Sequence, residues 1–412
     1  MRILQINTVC GTGSVGRIAV DLYEVCEKAG HAPYIAYGRG GASSKVASYK
    51  IGSKPDFYKH VLKNFFKGEG GFGSVEKTEQ FLHWMDQIKP DLIHLHNIHG
   101  FYINIEMLFA FIKEKDIPVV WTLHDNWPFT GHCAYFDYAE CTKWKTGCES
   151  CSIHRTAYPY AIFKDNSKNA YARKRQSFQG VKNLTIVTPS NWLKDLVKES
   201  FLQEYPVKVI FNGIDLEKFN IMENVEKKKV ILGVANVWEA RKGLTYFEQM
   251  AGRLPEDYVI KLVGVSKSQK KKLLRKFPGG EIVPITRTEN VEELAALYNE
   301  ATVYVNATLE DNFPTTNLEA LACGTPVVTF QTGGSPESLN PSCGKIVKKG
   351  DFEKLLDAIE DVIAIVEEQQ NNPEQAGYLF SRKACRARAY TFQKEERYGE
   401  YLKIYEQMFA NR

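Results

Sequence analysis

Apolar positions along this chain follow two rhythms. Short runs rich in β-branched side chains occupy residues 2–7, 32–37, 92–95, 119–123, 184–188 and 207–211, and again 229–235, 259–263, 302–305 and 327–330. Their length, and the Gly, Pro and Asn residues around them, predict strands buried on both faces. Between them lie stretches with helical spacing, among them 15–29, 244–251 and 317–323. One opening occurs twice, as strand, glycine-containing loop and helix. In the first copy the loop holds Gly11, Gly13 and Gly16, and in the second Arg241, Lys242 and Gly243. Strand and helix in alternation predict an α/β protein with two Rossmann-like, doubly wound domains on parallel sheets. Two such domains facing one another hold a ligand in the cleft at the carboxyl ends of their strands. The expected division is 1–200 and 201–380, followed by a helical, tyrosine-rich segment over 381–412.

The most specific chemistry lies in residues 301–328. A strand over 302–305 leads through a loop, 309–316, into helix formers over 317–323 that stop at Gly324 and Pro326. Thr315 or Thr316 can cap this helix, and the amides of its first turn then make an anion site strengthened by the helix dipole. Asp311 in the loop and Glu319 in the helix flank that site. A diphosphate suits the amides, and hydroxyl groups suit the acids. A capped helix with two solvated acids is the plain structural alternative.

Asp311, seven intervening residues, and then Glu319-Ala-Leu-Ala-Cys-Gly-Thr-Pro-Val-Val resemble the Glu-x7-Glu signature of retaining GT-B glycosyltransferases, in particular glycosyltransferase family 4. The resemblance implies that the first acid, Asp311 with Glu310 beside it, lies near the donor sugar. It implies that Glu319 binds the nucleotide ribose, and that Asn312, Phe313, Pro314, Thr315, Thr316 and Asn317 line the diphosphate. Residues 234–244 resemble the family's loop whose cations neutralise the diphosphate; Lys242 matches its Lys-Gly, while Ala235-Asn236 replaces the usual Gly-Arg pair and leaves Arg241 to serve. His124 follows a strand and precedes an aromatic, Pro-containing loop, as does a family histidine that meets the donor sugar. Arg287, between Thr286 and Thr288, sits where the family contacts the base. The terminal helix of such proteins commonly crosses back to the first domain, though a helix packed on the second domain satisfies the same pattern.

Gly11-x-Gly13-x-x-Gly16 also satisfies the dinucleotide-binding fingerprint, but the next strand ends Tyr37-Gly38-Arg39 without the acid that NAD requires. Under the family resemblance the same bare loop approaches the donor phosphate or sugar. The implied activity is retaining transfer of a sugar from a nucleotide diphosphate donor (UDP, GDP or another base) to a saccharide or lipid-linked saccharide, in cell-surface polysaccharide assembly. It needs no catalytic cofactor. A sugar-nucleotide epimerase or phosphorylase, and a non-catalytic sugar-nucleotide-binding protein, are the competing functions.

Composition narrows this further. With 412 residues the chain exceeds the length at which one core keeps growing. A formal net charge of +4 is too small to argue for nucleic acid, yet allows weak attraction to anionic lipid. The apolar start over 2–7 is too short for a signal peptide, and no apolar run approaches a membrane span. The expected place is the cytoplasm, with peripheral contact at the inner face of the membrane. Residues 57–67 form a basic amphipathic pattern that can lie on such a surface or pack on its own domain. Cys133, Cys141, Cys148 and Cys151 fall within nineteen residues and end in Cys-x-x-Cys. They are read either as a structural zinc site, joined by His132 or His154, or as reduced thiols. The basic runs 171–175 and 267–276 read as solvated helix faces.

Overall fold

The two rhythms resolve into two parallel sheets in the computed structural model, which describes residues 1–255, 257–372, 374 and 377–410. The first sheet contains β1 (Arg2–Val9), β2 (Ala32–Arg39), β3 (Ser48–Lys50), β4 (Leu92–Leu95), β5 (Val119–Thr122), β6 (Leu184–Thr188) and β7 (Val207–Val209), in the order β3-β2-β1-β4-β5-β6-β7. The second contains β8 (Lys228–Val234), β9 (Val259–Val263), β10 (Ile282–Ile285), β11 (Ala301–Asn306), β12 (Val327–Phe330) and β13 (Gly344–Val347), in the order β10-β9-β8-β11-β12-β13. In the first unit the crossovers carry α1 (Gly13–Lys28), α2 (Lys54–Lys67), α3 (Val75–Ile88), α4 (Ile105–Lys115), α5 (Ser167–Phe178) and α6 (Asn191–Lys198). The second unit has α7 (Leu244–Met250), α8 (Lys267–Lys276), α9 (Val291–Glu300), α10 (Thr315–Ala322), α11 (Phe352–Asn371) and α12 (Arg382–Tyr390), and the chain closes with α13 (Lys394–Ala410).

Alternating strand residues feed opposite faces of the first sheet. Leu4, Ile6, Ile93, Leu95, Val119 and Trp121 enter one core, while Ile3, Leu92, Val120 and Val187 enter another against α1 and α13. Three strands were not expected: β3, β10 and β13. All three are sheet edges. Edge strands keep one flank in water, so Lys50, Pro284 and Lys345 interrupt the apolar run that would have marked them.

The chain divides into Met1–Phe211 with Glu395–Arg412, and Asn212–Lys394. The first division therefore falls beyond residue 200, because β7 joins the first sheet beside β6. The return falls beyond 380, because α12 belongs to the second unit. There Arg386 donates through Nη1 to Phe219 O at 2.6 Å and to Ala322 O, the last residue of α10, at 2.8 Å. The expected single terminal helix is broken at residues 391–393, where Gln393 bridges to Ile214. On α13, Tyr398, Tyr401, Ile404 and Tyr405 are buried with Ile3, Leu92 and Val120. Residues 411 and 412 of the expected segment lie outside the described residues. Among the described residues no helix is long and apolar enough to cross a membrane.

Candidate functional site

In the second unit, β11 ends at Asn306 and the chain reaches α10 through residues 307–314, which lie close against the neighbouring loop after β8. Leu309 N donates to Arg241 O at 2.7 Å, and the Thr308 hydroxyl donates to Glu310 O at 3.0 Å. Gly243 makes this approach possible. Its φ is +76°, and a Cβ there would lie 2.1 Å from Ala307 O. The Arg241-Lys242 pair, on a short 3-10 turn over Ala240–Lys242, is thereby held beside the acids.

The acids and cations are paired directly. Lys242 Nζ donates to Asp311 Oδ2 at 2.5 Å, and both side chains are about four-fifths buried, with relative exposures of 23% and 20%. Arg241 Nε donates to Glu239 Oε2 at 2.9 Å, and its Nη1 reaches Glu310 O at 3.4 Å. Glu310 itself is buried, so Asp311, one-fifth exposed, is the more accessible of the two neighbouring carboxylates.

Glu319 lies inside α10 and is only 5% exposed. The Tyr298 hydroxyl, from α9, donates to its Oε2 at 3.0 Å and orients it. The expected cap is corrected: Pro314 is the N-cap of α10, and no side chain caps the helix. Thr315 and Thr316 are its first residues, with Thr316 bonded to the Tyr304 hydroxyl. A helix start without a side-chain acceptor keeps its dipole available to an anion. Asn317 is fixed from below, accepting from Asn306 Nδ2 at 2.8 Å and donating to Ser335 Oγ at 3.0 Å and Ser338 Oγ at 2.9 Å. Asn312, Phe313 and Pro314 are buried, and Asn212 Nδ2 donates to Phe313 O at 3.3 Å. Arg287 is not gathered into this cluster. It is exposed on the loop after β10, an edge strand separated from β11 by β9 and β8.

In the first unit, Gly11 lies in the turn between β1 and α1, and Gly13 and Gly16 lie in the first turn of α1. Gly11 N donates to Gly16 O at 3.0 Å, and Gly11 and Gly13 have φ of +71° and +65°. His124 follows β5 and joins a buried chain of side chains. Gln5 Nε2 donates to Ala19 O at 3.0 Å, so its Oε1 accepts from His96 Nε2 at 2.9 Å. His96 Nδ1 then accepts from His124 Nε2 at 3.0 Å. His94 links the Thr122 hydroxyl at 2.8 Å and the Tyr405 hydroxyl at 2.6 Å. His94 and His96 are therefore core residues.

Burial holds these imidazoles neutral, with His94 lowered to about 3, His124 to about 4 and His96 well below 6.5. In the unfolded chain they titrate near 6.5. Below that pH the unfolded chain binds more protons, and stability falls as pH falls. Each pH unit between 6.5 and about 4 costs about 1.4 kcal/mol per histidine. Calorimetry across that range is expected to show the melting temperature falling more steeply in the native chain than in His96→Asn; equal slopes would contradict this.

Cys133, Cys141, Cys148 and Cys151 all line one narrow cavity with Phe136 and Trp144. Among the described residues, however, no three His, Cys, Asp or Glu side chains form a group that could hold a metal ion. The expected zinc thus finds four neighbouring thiols but no ready ligand set. Burial raises the thiols of Cys133, Cys148 and Cys151, Cys148 to about 11, and so keeps these three protonated. The run 171–175 is also corrected as a solvated face. Lys174 is buried, donates to Trp127 O at 2.8 Å and Thr130 O at 3.0 Å, and is lowered to about 7 by desolvation.

Tyr298, Ser335 and Ser338 escaped the sequence reading. Tyr298 meets the site from α9 and the two serines from one 3-10 turn over Ser335–Ser338, and no local spacing marks such partners. Asp125 was missed as well. Its Oδ2 pairs with His99 Nε2 at 2.7 Å and its Oδ1 accepts from Trp127 N at 3.0 Å, bracing the loop after His124.

Comparison with known proteins agrees with this geometry. Residues 15–218 match Glycosyltransferase Family 4, and residues 228–364 match Glycosyl transferases group 1. The chain is 24% identical to the putative colanic acid biosynthesis glycosyl transferase WcaC of Escherichia coli, over 99% of this chain and 100% of that one. It is 26% identical to the MMP alpha-(1->4)-mannosyltransferase of Mycolicibacterium hassiacum, over 44% of this chain and 45% of that one. Among solved structures, sucrose-phosphate synthase from Thermosynechococcus elongatus superposes with a TM-score of 0.74 at 17% identity, covering 100% of both chains. Anabaena HepE, solved in complex with UDP, gives 0.65 at 13% identity, over 99% of this chain and 100% of that one. With both units matched and the acids, cations and open helix start gathered in the second, the chain belongs to glycosyltransferase family 4, of GT-B fold.

Proposed function

We propose that this glycosyltransferase moves a sugar from a nucleotide diphosphate donor to a hydroxyl of a saccharide or lipid-linked saccharide, with retention at the anomeric carbon, in cell-surface polysaccharide assembly. The observation that carries the reading is the arrangement around α10. Lys242 and Arg241 lie at the loop that ends in an uncapped helix start, and the oriented Glu319 carboxylate follows one turn on. Diphosphate binds the helix start and the two cations, ribose hydroxyls donate to Glu319, and Asp311 faces the sugar. The bond from the anomeric carbon to the β-phosphate oxygen breaks, and the acceptor oxygen attacks that carbon on the same face. The acceptor proton passes to the departing phosphate oxygen. Lys242 and Arg241 stabilise the charge that grows on the diphosphate, so no covalent nucleophile is needed.

The relative named for colanic acid biosynthesis supports the polysaccharide setting, and HepE, solved with UDP, supports a nucleotide-bearing donor. The first test is thermal stabilisation by UDP-, GDP-, CMP- and dTDP-sugars, with NADPH alongside. One nucleotide sugar is expected to raise the melting temperature, whereas a shift with NADPH alone would overturn the reading. Against the donor so identified, Glu319→Ala is expected to weaken binding by about tenfold to a hundredfold, from the lost hydrogen bonds to ribose. Unchanged affinity by calorimetric titration would remove Glu319 from the ribose.

A further inference from the structure

Helix α2 is turned inside out. A helix on the surface of a globular unit places apolar residues inward and polar ones outward. On α2 the buried residues are His60 and Asn64, while Tyr58, Leu62 and Phe66, spaced four apart, are 62%, 54% and 56% exposed. Both polar residues of the inward face are anchored by hydrogen bonds. His60 Nδ1 meets Ser74 Oγ at 2.9 Å, His60 Nε2 accepts from Gly73 N at 3.1 Å, and Asn64 Nδ2 donates to Tyr160 O at 2.7 Å. These bonds fix the rotation of the helix, so its apolar stripe is held outward by structure and is not a frayed face.

A second segment extends the stripe. Phe163 N donates to Phe65 O at 3.0 Å, and the Phe163 ring stacks on Phe66 with centroids 4.8 Å apart and planes 5° apart. Phe163 is itself 66% exposed, and Ile162 and Tyr160 beside it are each 38% exposed. Lysines run parallel to the stripe. Lys59, Lys63 and Lys67 each follow one of its residues, and Lys54 and Lys164 stand exposed at its ends. The nearby acids are occupied, Asp56 by Ser53 and Glu69 by Lys63. An aromatic and aliphatic ridge beside a row of ammonium groups matches the boundary of a bilayer, where rings enter the headgroup layer and lysines meet anionic phosphates.

We propose that this ridge docks the protein on a membrane surface rich in anionic lipid, with Tyr58, Leu62, Phe66 and Phe163 inserted and Lys59 and Lys67 on the headgroups. The full-length chain is sedimented with vesicles of phosphatidylcholine alone and of phosphatidylcholine with phosphatidylglycerol. Binding is expected to the anionic vesicles, to fall with added salt, and to be weak on phosphatidylcholine alone. Leu62→Ser with Phe163→Ser is expected to weaken it about tenfold, and Lys59→Glu with Lys67→Glu by at least about tenfold. Both variants should keep the native melting temperature, which separates lost docking from lost folding. Equal binding to both vesicle types, or native binding by either variant, would overturn the proposal. So would vesicle-free dimers that Leu62→Ser abolishes, since the ridge would then be an interface between copies. Donor-induced stabilisation is read on the same samples, so failure of the docking proposal is distinguishable from failure of the transferase reading.

Discussion

Replacing Lys242 with alanine is expected to lower kcat about a hundredfold or more, the usual loss when one preorganised charge donor is removed from a developing anion. Two effects act in the same direction. The ammonium that meets the departing diphosphate is gone, and Asp311, which it holds at 2.5 Å, is left as an unpaired carboxylate where further negative charge must enter. Asp311→Asn in the Lys242→Ala background removes the second effect and should recover part of the donor affinity. A double-mutant cycle on kcat/KM, with the donor found by thermal stabilisation, measures that coupling. A kcat within about threefold of the native value, far short of the loss expected for a charge donor, would place Lys242 outside the reaction centre.

A large stability effect is expected from Gly243→Ala. The residue has a φ of +76°, and the new Cβ would sit 2.1 Å from Ala307 O. Backbone strain and the forced retreat of the two loops together should cost about 3 kcal/mol in urea unfolding. Donor binding should be lost with them, because Lys242 and Arg241 are carried on the turn that retreats. Gly13→Ala is the comparison. Its φ of +65° carries strain, but a Cβ there would meet nothing within 4 Å, so the loss should be only about 1 kcal/mol. Equal losses in the two variants would show that the close approach at Ala307 contributes nothing.

Central strands and the helices they alternate with were legible from the sequence because burial on both faces leaves uninterrupted apolar runs. Edge strands were not, because each keeps one flank outside the sheet, where Pro284 in β10 and Lys345 in β13 are tolerated and break the apolar run. The site divides in the same way. Asp311, Glu319, Lys242 and Gly243 stand within local patterns whose spacing carries their chemistry. Tyr298 reaches Glu319 from twenty-one residues away, and Ser335 and Ser338 reach Asn317 from the far side of β12. Pairings of this kind exist only after the sheet order is set. Arg241 and Lys242 were legible as cations, but their pairing with Glu239 and Asp311 was not.

Helix α13 carries a further consequence, for the order of events during synthesis. The second unit is one continuous stretch, so it can complete its core as soon as its last residue clears the ribosome. The first unit, although made first, still lacks Tyr398, Tyr401, Ile404 and Tyr405 at that moment. Until they arrive, the Thr122 and His94 side chains face water without their tyrosine partners. The nascent chain must therefore shelter an unfinished N-terminal core until α13 has been made, and a stop between the second unit and α13 would damage the half of the protein that was made first.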